Sequence, residues 1–186
     1  MHSGASQRIH DRRQRRERTE DFDEFFRAQF PTVARSLGLV VGNREDGIEL
    51  AQEAFARAWA RWDRYQSAEH ARNSVLRIGV NLARSEGRRR RKLSNTPIDT
   101  LRDEGHPFEG EHTPTRLVIV DALRALSDRQ RTCIVLTDYV GMDSREVGRA
   151  LRIPSGSVRT HVTRARRRLR LLLDEGNEEV RSDERS

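Results

Sequence analysis

Residues 144 to 170 carry the pattern that most constrains the fold of this chain, because apolar residues recur there at helical spacing on both sides of a break. The apolar stripe comprises Val147, Ala150 and Leu151 before the break and Val158, Val162, Ala165 and Leu169 after it. The pair Ile153 and Pro154 separates the two halves. The spacing predicts two short helices, joined by a tight turn, that bury their stripes against one core.

The second of these helices is strongly basic on the side opposite its apolar stripe. That side carries Ser157, Arg159, Thr160, His161, Arg164 and Arg168. Arginine can bond guanine through two hydrogen bonds in the major groove, and hydroxyl groups can bond backbone phosphates. A basic face alone is also compatible with a solvated helix, but here it accompanies the apolar spacing and the turn. The pattern therefore predicts a DNA-binding helix-turn-helix, with Arg159 contacting bases and residues 166–168 acting mainly through charge.

Composition agrees with a nucleic-acid partner, since the 186 residues carry a formal net charge of +7. Only 34% of the residues are hydrophobic, which favours two small helical domains over one large core. No apolar run approaches the ~20 residues that span a bilayer, and the N-terminus lacks the apolar stretch of a signal peptide. We therefore expect a cytoplasmic protein with no membrane insertion.

Candidate catalytic and metal-binding groups are sparse. Cys133 is the single cysteine, which excludes an internal disulfide and a cysteine-rich zinc site, and its apolar neighbours predict burial. The six histidines are scattered and show no metal-ligand spacing. We expect no metal, no cofactor and no catalytic activity of the chain itself.

The chain divides into five parts. Residues 1–20 are predicted to be a flexible basic arm, residues 21–92 a first helical unit and residues 93–113 a linker rich in proline and glycine. Residues 114–173 are predicted to form a second helical unit, followed by an acidic tail, residues 174–186, that should fray. The predicted fold is therefore all-α, with two small helical domains joined by a flexible linker that allows them to move apart.

The first unit shows three helical patterns. Aromatic and aliphatic residues from Phe22 to Leu37 recur at helical spacing, although Pro31 should kink or divide that helix. Residues 46–62 form a strongly amphipathic pattern, residues 63–71 a predicted loop, and residues 72–91 a third long helix with Gly79 facing the core. In the second unit, capping boxes are predicted at Ser127 with Gln130 and at Asp143 with Glu146.

Two sets of motifs, in this order, resemble the extracytoplasmic-function sigma factors of bacterial RNA polymerase. The segment GIELAQEAFARAW at 47–59 resembles the polymerase-binding helix of that family, and VLRIGVNLARSEGRRRR at 75–91 resembles its promoter-melting helix. The segment ALRALSDRQRTCIVL at 122–136, with the helix-turn-helix, resembles its upstream-promoter domain. The resemblance implies a sigma factor that binds core RNA polymerase, recognises upstream and downstream promoter DNA, and melts the promoter.

The resemblance also implies roles for individual residues. The polymerase-binding set is Glu49, Leu50, Gln52 and Glu53, although their pattern alone fits an ordinary solvated helix face equally well. Asn81 would capture a flipped base, since an amide can both donate and accept on a base edge, although a surface asparagine often has no such role. The loop residues Ser67, Ala68, Glu69 and His70 would complete that pocket. Arg88, Arg89, Arg90 and Arg91 would hold the adjacent phosphates.

An ordinary transcriptional repressor or activator is the main alternative. It could use the same helix-turn-helix, but it would need a sensor or dimerisation domain, and residues 21–92 resemble neither. Members of the sigma family often have an anti-sigma partner, so the resemblance adds such a protein as a candidate, without identifying its binding surface.

Overall fold

The computed structural model describes residues 3–93 and 114–183, with the side chains of residues 16–89 and 118–174. The first unit contains α1 (Ser3–Val41), α2 (Arg44–Trp59), a 3₁₀ turn (Trp62–Arg64) and α3 (Ala68–Leu93). The second contains α4 (Pro114–Arg124), α5 (Asp128–Ile134) continued by a π-helical turn (Val135–Tyr139), α6 (Ser144–Leu151) and α7 (Ser155–Asp183). These ranges contain no strand, in agreement with the predicted all-α fold. Residues 94–113, nearly all of the predicted linker, lie outside the described residues.

The N-terminal end of α1 differs from the expectation of an irregular arm, because the helix begins at Ser3. Arg18 connects the N-terminal half of α1 to the rest of the first unit. Its guanidinium lies 4.5 Å from the ring centroid of Trp59, donates to the Trp59 carbonyl over 2.9 Å and pairs with Asp63 at 3.0 Å. The Arg18 side chain thus binds α1 to the C-terminal end of α2, where backbone carbonyls have no hydrogen-bond donor within the helix.

Helix α1 runs through Pro31 without a break, so the proline does not divide the helix, which was one of its two predicted effects. Proline removes one backbone hydrogen bond from the helix. Phe25 and Val33, on either side of it, are both buried in the same apolar core. Their burial holds the two halves of α1 on one surface and offsets the missing bond.

Close contacts between helices of the first unit depend on glycine. Any β-carbon on Gly47 of α2 would collide with the backbone of α1 at Gly38. A β-carbon on Gly79 of α3 would lie 2.5 Å from a methyl group of Leu37, and Gly79 faces the core as predicted. At Gly47 the obstacle is backbone, so a larger residue would force α1 and α2 apart, whereas at Gly79 the Leu37 side chain would have to move.

Local signals set the helix limits of the second unit. Both predicted capping boxes are present, Ser127 with Gln130 before α5 and Asp143 with Glu146 before α6. Arg152 follows the last residue of α6, and its φ of 56° and ψ of 49° place it in the left-handed conformation that turns the chain towards α7. Helix α7 extends past residue 173 to Asp183, into the segment expected to fray. Adding residues to an existing helix costs little once its first turns are packed.

The two units pack against each other, an arrangement that the sequence left open. Arg131 donates to the Val40 carbonyl over 2.8 Å and Arg124 to the Gly42 carbonyl over 2.9 Å, both at the C-terminal end of α1. Further bonds run from Arg84 to the Leu151 carbonyl (2.9 Å) and from Asn73 to Glu146 (2.7 Å). Buried side chains of both units belong to one continuous apolar cluster. No helix within the described ranges is long and apolar enough to cross a membrane.

Candidate functional site

Helix α7 buries one side and exposes the other, as its sequence predicts. Val158, Val162 and Ala165 lie in the core, whereas the predicted DNA-facing residues Arg159, Thr160, Arg164 and Arg168 are exposed and Ser157 and His161 are half-buried. The Thr160 hydroxyl donates to the Gly156 carbonyl over 3.1 Å. The exposed side of α7 is therefore a row of cations, with space for a partner of opposite charge.

Arg166 differs from its neighbours, because it is already paired. Its guanidinium donates to both carboxylate oxygens of Asp138, over 2.9 and 2.8 Å. The hydrogen bond from Arg166 lowers the pKa of Asp138, because the bond favours the ionised carboxylate. This pair ties α7 to the π-helical turn, so Arg166 is less available to DNA phosphates than sequence reasoning assumed.

On α2, the predicted polymerase-binding set separates into two groups. Glu49, Gln52 and Glu53 are exposed, and Glu53 pairs with Arg57 at 2.6 Å. Leu50 is only 4% exposed and belongs to the core, so its side chain does not contribute to the exposed face of α2. The reason is helical geometry, because Leu50, Ala54 and Ala58 are spaced four residues apart and lie on the same buried side of α2.

An apolar groove of about 380 Å³ lies beside the exposed face of α2, between α2 and α1. Its lining residues are Thr19, Phe22, Asp23, Phe26, Gln52, Phe55, Ala56 and Trp59. Phe22, Phe26 and Trp59 are only half-buried, although their periodicity assigns them to the core. The groove could not be predicted from the sequence, because its walls come from two helices. Gln52 belongs both to the groove and to the predicted binding face.

The residues predicted to capture a flipped base lie along α3, but not in one pocket. Ser67 accepts a hydrogen bond from the His70 amide over 3.1 Å, and residues 68–70 form the first helical turn and not the loop that was expected. Ser67, Ala68, Glu69 and His70 are all exposed, and Asn81 is half-buried. At ~1.5 Å per residue, His70 and Asn81 are ~16 Å apart along the helix axis, too far to enclose one base.

The basic end of α3 is exposed at Arg88 and Arg89, while the side chains of Arg90 and Arg91 lie outside the described part. Within that part, no three histidine, cysteine, aspartate or glutamate residues are grouped so as to hold a metal ion. Cys133 is fully buried, as predicted, and burial raises the pKa of its thiol to about 11. The thiol therefore remains protonated at neutral pH and is a poor nucleophile.

Comparison with known proteins identifies the family of this chain. Residues 116–169 match the family model for region 4 of the sigma-70 factors. The RNA polymerase sigma-E factor of Streptomyces avermitilis is 30% identical over 165 residues, a match that covers 89% of this chain and 92% of the relative. The chain belongs to the extracytoplasmic-function sigma factors. As such, it is a transcription initiation factor that directs RNA polymerase to promoters.

Other relatives of this sigma factor agree with the assignment. The sigma-E factor of Streptomyces coelicolor is 30% identical over 150 residues, covering 81% of this chain and 84% of that protein. The sigma factor RpoE of Bartonella quintana, solved in complex with the anti-sigma factor NepR, is 23% identical and aligns with a TM-score of 0.70. That alignment covers 83% of this chain and 98% of the solved RpoE chain, and it supports the fold.

Proposed function

We propose that this sigma factor binds core RNA polymerase through the exposed face of α2 and the adjoining groove, and promoter DNA through α3 and α7. The observation that carries the proposal is the exposure of these surfaces on three different helices while the two units are packed together. The division of labour follows the family: the first unit contacts polymerase and the downstream promoter element, and the second contacts the upstream element. The chain would act in the cytoplasm without catalysing a reaction itself.

The groove supports the assignment of α2 to polymerase binding. Protein interfaces draw most of their binding energy from a few well-packed residues, often aromatic, at the centre of a polar rim. Here Phe22, Phe26 and Trp59 wall the groove, and Glu49 and Glu53 lie on the exposed face of α2 beside it. We therefore replace Leu50, which is buried, by this aromatic groove as the apolar part of the binding surface.

Charge reversal at Glu49 and Glu53 together should weaken binding to core polymerase about tenfold or more, while changing the unfolding free energy by less than about 0.5 kcal/mol. Ala56→Trp, which fills the groove with a bulky side chain, should weaken binding to a similar degree. Affinity for immobilised core polymerase measures both effects. Ala28→Trp and Glu24→Lys, at exposed positions of α1 outside the groove, serve as controls. Full affinity in both test variants would remove this surface from the polymerase contact.

Promoter contacts are assigned to α3 and α7. Asn81 would hold a flipped base of the downstream element, and residues 67–70, at a distance, would contact neighbouring nucleotides. Arg88 to Arg91 would bind backbone phosphates. On α7, Arg159 would contact a base of the upstream element, while Ser157, Thr160, His161, Arg164 and Arg168 would orient the helix on the duplex.

Replacing Arg159 by alanine should relax sequence preference at one position of the upstream element and cost ~1–3 kcal/mol in binding. The matched control is Arg167→Ala, on the same exposed side of α7. This change should weaken binding to all DNA sequences alike and reduce the salt dependence of the affinity by about one phosphate contact. Selection of bound DNA from a library randomised in the upstream element, with polymerase present, separates the two outcomes. An unchanged preference in the Arg159 variant would limit this residue to positioning the helix.

An anti-sigma protein is a further candidate partner. The RpoE structure contains the anti-sigma factor NepR, and CnrH, 24% identical with a TM-score of 0.60 over 84% of this chain and 90% of its own, is solved with the cytosolic domain of CnrY. By analogy, we propose that a protein of this class controls access of the sigma factor to polymerase.

A further inference from the structure

A group of arginines lies at the junction between the two units. Arg84 of α3 reaches across the junction and donates to the Leu151 carbonyl over 2.9 Å, at the C-terminal end of α6. The next residue, Arg152, is exposed and has the left-handed backbone that ends this helix. Arg88 lies one turn beyond Arg84 on α3. The contact therefore places the Arg84 guanidinium of the first unit beside the backbone that leads into Arg152 of the second.

Arg129 of α5 extends this group. Burial lowers the pKa of Arg84, and the positive charges of Arg129, Arg88 and Arg152 lower it further. These three arginines are exposed, and within the described part of the chain none of their guanidinium groups forms an ion pair or a hydrogen bond. Their guanidinium groups are thus free to bind a ligand, and their mutual repulsion opposes the packing of the two units.

We infer that Arg84, Arg88, Arg129 and Arg152 form an anion-binding site at the junction of the two units, which takes a ligand carrying several phosphate groups. Guanidinium groups match phosphate oxygens through paired, charge-assisted hydrogen bonds, and several cations from different helices suit a ligand with several charges. A soluble polyphosphate or nucleotide and a nucleic-acid backbone share this chemistry. The site adds Arg129 and Arg152, which the proposed promoter contacts do not use.

Ligand binding at this site would be coupled to the packing of the units. Arg84 and Arg88 belong to the first unit, and Arg129 and Arg152 to the second, so the complete site exists only when the units are together. A bound polyanion would neutralise the repulsion among the arginines and so favour the packed arrangement, because a ligand stabilises the state that binds it better. Without the ligand, the same repulsion favours separation.

Binding of inorganic tripolyphosphate and of a short duplex of unrelated sequence to the full chain tests this site. Arg88→Gln and Arg129→Gln, one from each unit, should each lower affinity for the occupying polyanion about tenfold. The double variant Arg27→Gln and Arg35→Gln, at exposed unpaired positions of α1, is the control and should change affinity less than about twofold. Asparagine suits the left-handed backbone at position 152. The double variant Arg129→Gln with Arg152→Asn therefore removes the part of the anion-binding site that the second unit supplies, without disturbing the turn.

The two probes distinguish the source of the phosphate. Saturable tripolyphosphate binding that depends on both Arg88 and Arg129 supports a soluble polyphosphate ligand. Duplex binding with the same dependence, without tripolyphosphate binding, supports a nucleic-acid backbone. Equal losses in the control and the cluster variants, or dependence on Arg88 alone, would overturn the site. The variant with Arg129→Gln and Arg152→Asn should bind core polymerase as the parent does. Affinity for polymerase and affinity for the polyanion therefore test the two proposals independently.

Discussion

Replacing Phe55 with alanine is expected to lower the free energy of unfolding by about 3–5 kcal/mol. Phe55 is 1% exposed, and its ring lies 5.0 Å from the centroid of Phe26, 5.7 Å from Phe25 and 5.8 Å from Phe30. Truncation would remove these aromatic contacts and leave a cavity between α1 and α2. Rigid neighbouring rings can fill such a cavity only in part, which places the cost in the upper range for core substitutions.

Denaturant titration monitored by circular dichroism measures this loss. Leu171→Ala is the matched control, because Leu171 is a large apolar residue that is 49% exposed on α7, and we expect a change below about 0.5 kcal/mol there. A loss under about 1 kcal/mol for the Phe55 variant would contradict the packing described for α1 and α2.

Replacing Asn81 with alanine should reduce promoter melting by about tenfold or more while leaving recruitment nearly normal. Hydrogen bonds between an amide and a flipped base form only after the base has left the duplex, so their loss penalises the open complex and not the closed one. A loss of ~1.5–3 kcal/mol corresponds to about 10- to 150-fold in the opening equilibrium. Permanganate reactivity of unpaired thymines measures melting, and a gel-shift assay measures the closed complex.

A matched variant separates base capture from a general effect on α3. Arg77→Ala changes an exposed residue one helical turn before Asn81 and should melt the promoter nearly as the parent does. Equal permanganate reactivity of the Asn81 variant and the parent would exclude Asn81 from the promoter contact.

Features set by neighbouring residues could be predicted from the sequence. The capping boxes at Ser127 and Asp143 depend on residues three positions apart, and the buried side of α7 follows from helical spacing. The loop expected at residues 63–71 was partly wrong, because α3 begins at Ala68. Ser67 could have indicated this start, since a serine at the N-cap commonly accepts a hydrogen bond from the amide three residues later. The burial of Leu50 was not foreseen, because resemblance identifies a contacting segment without saying which side of the helix is exposed.

Contacts between distant residues left no comparable signal. Arg18 and Trp59 are 41 residues apart, Arg166 and Asp138 are 28 apart, and the groove needs side chains from two helices. The junction between the units depends on arginines that donate to backbone carbonyls, such as Arg131 to Val40. Any residue type supplies a carbonyl, so no pair of side chains in the sequence reveals such a bond.

Transcription by reconstituted polymerase measures whether this chain directs RNA polymerase to specific promoters. Core RNA polymerase of Streptomyces, the genus of the relatives matched over most of their length, would be mixed with this chain and a library of genomic fragments, and the 5′ ends of the transcripts sequenced. We expect transcripts that require the chain, begin at defined positions, and share two elements upstream of the start. Transcripts no more frequent than with core polymerase alone, from a preparation that responds to its own sigma-E factor, would show that the chain does not direct polymerase to promoters.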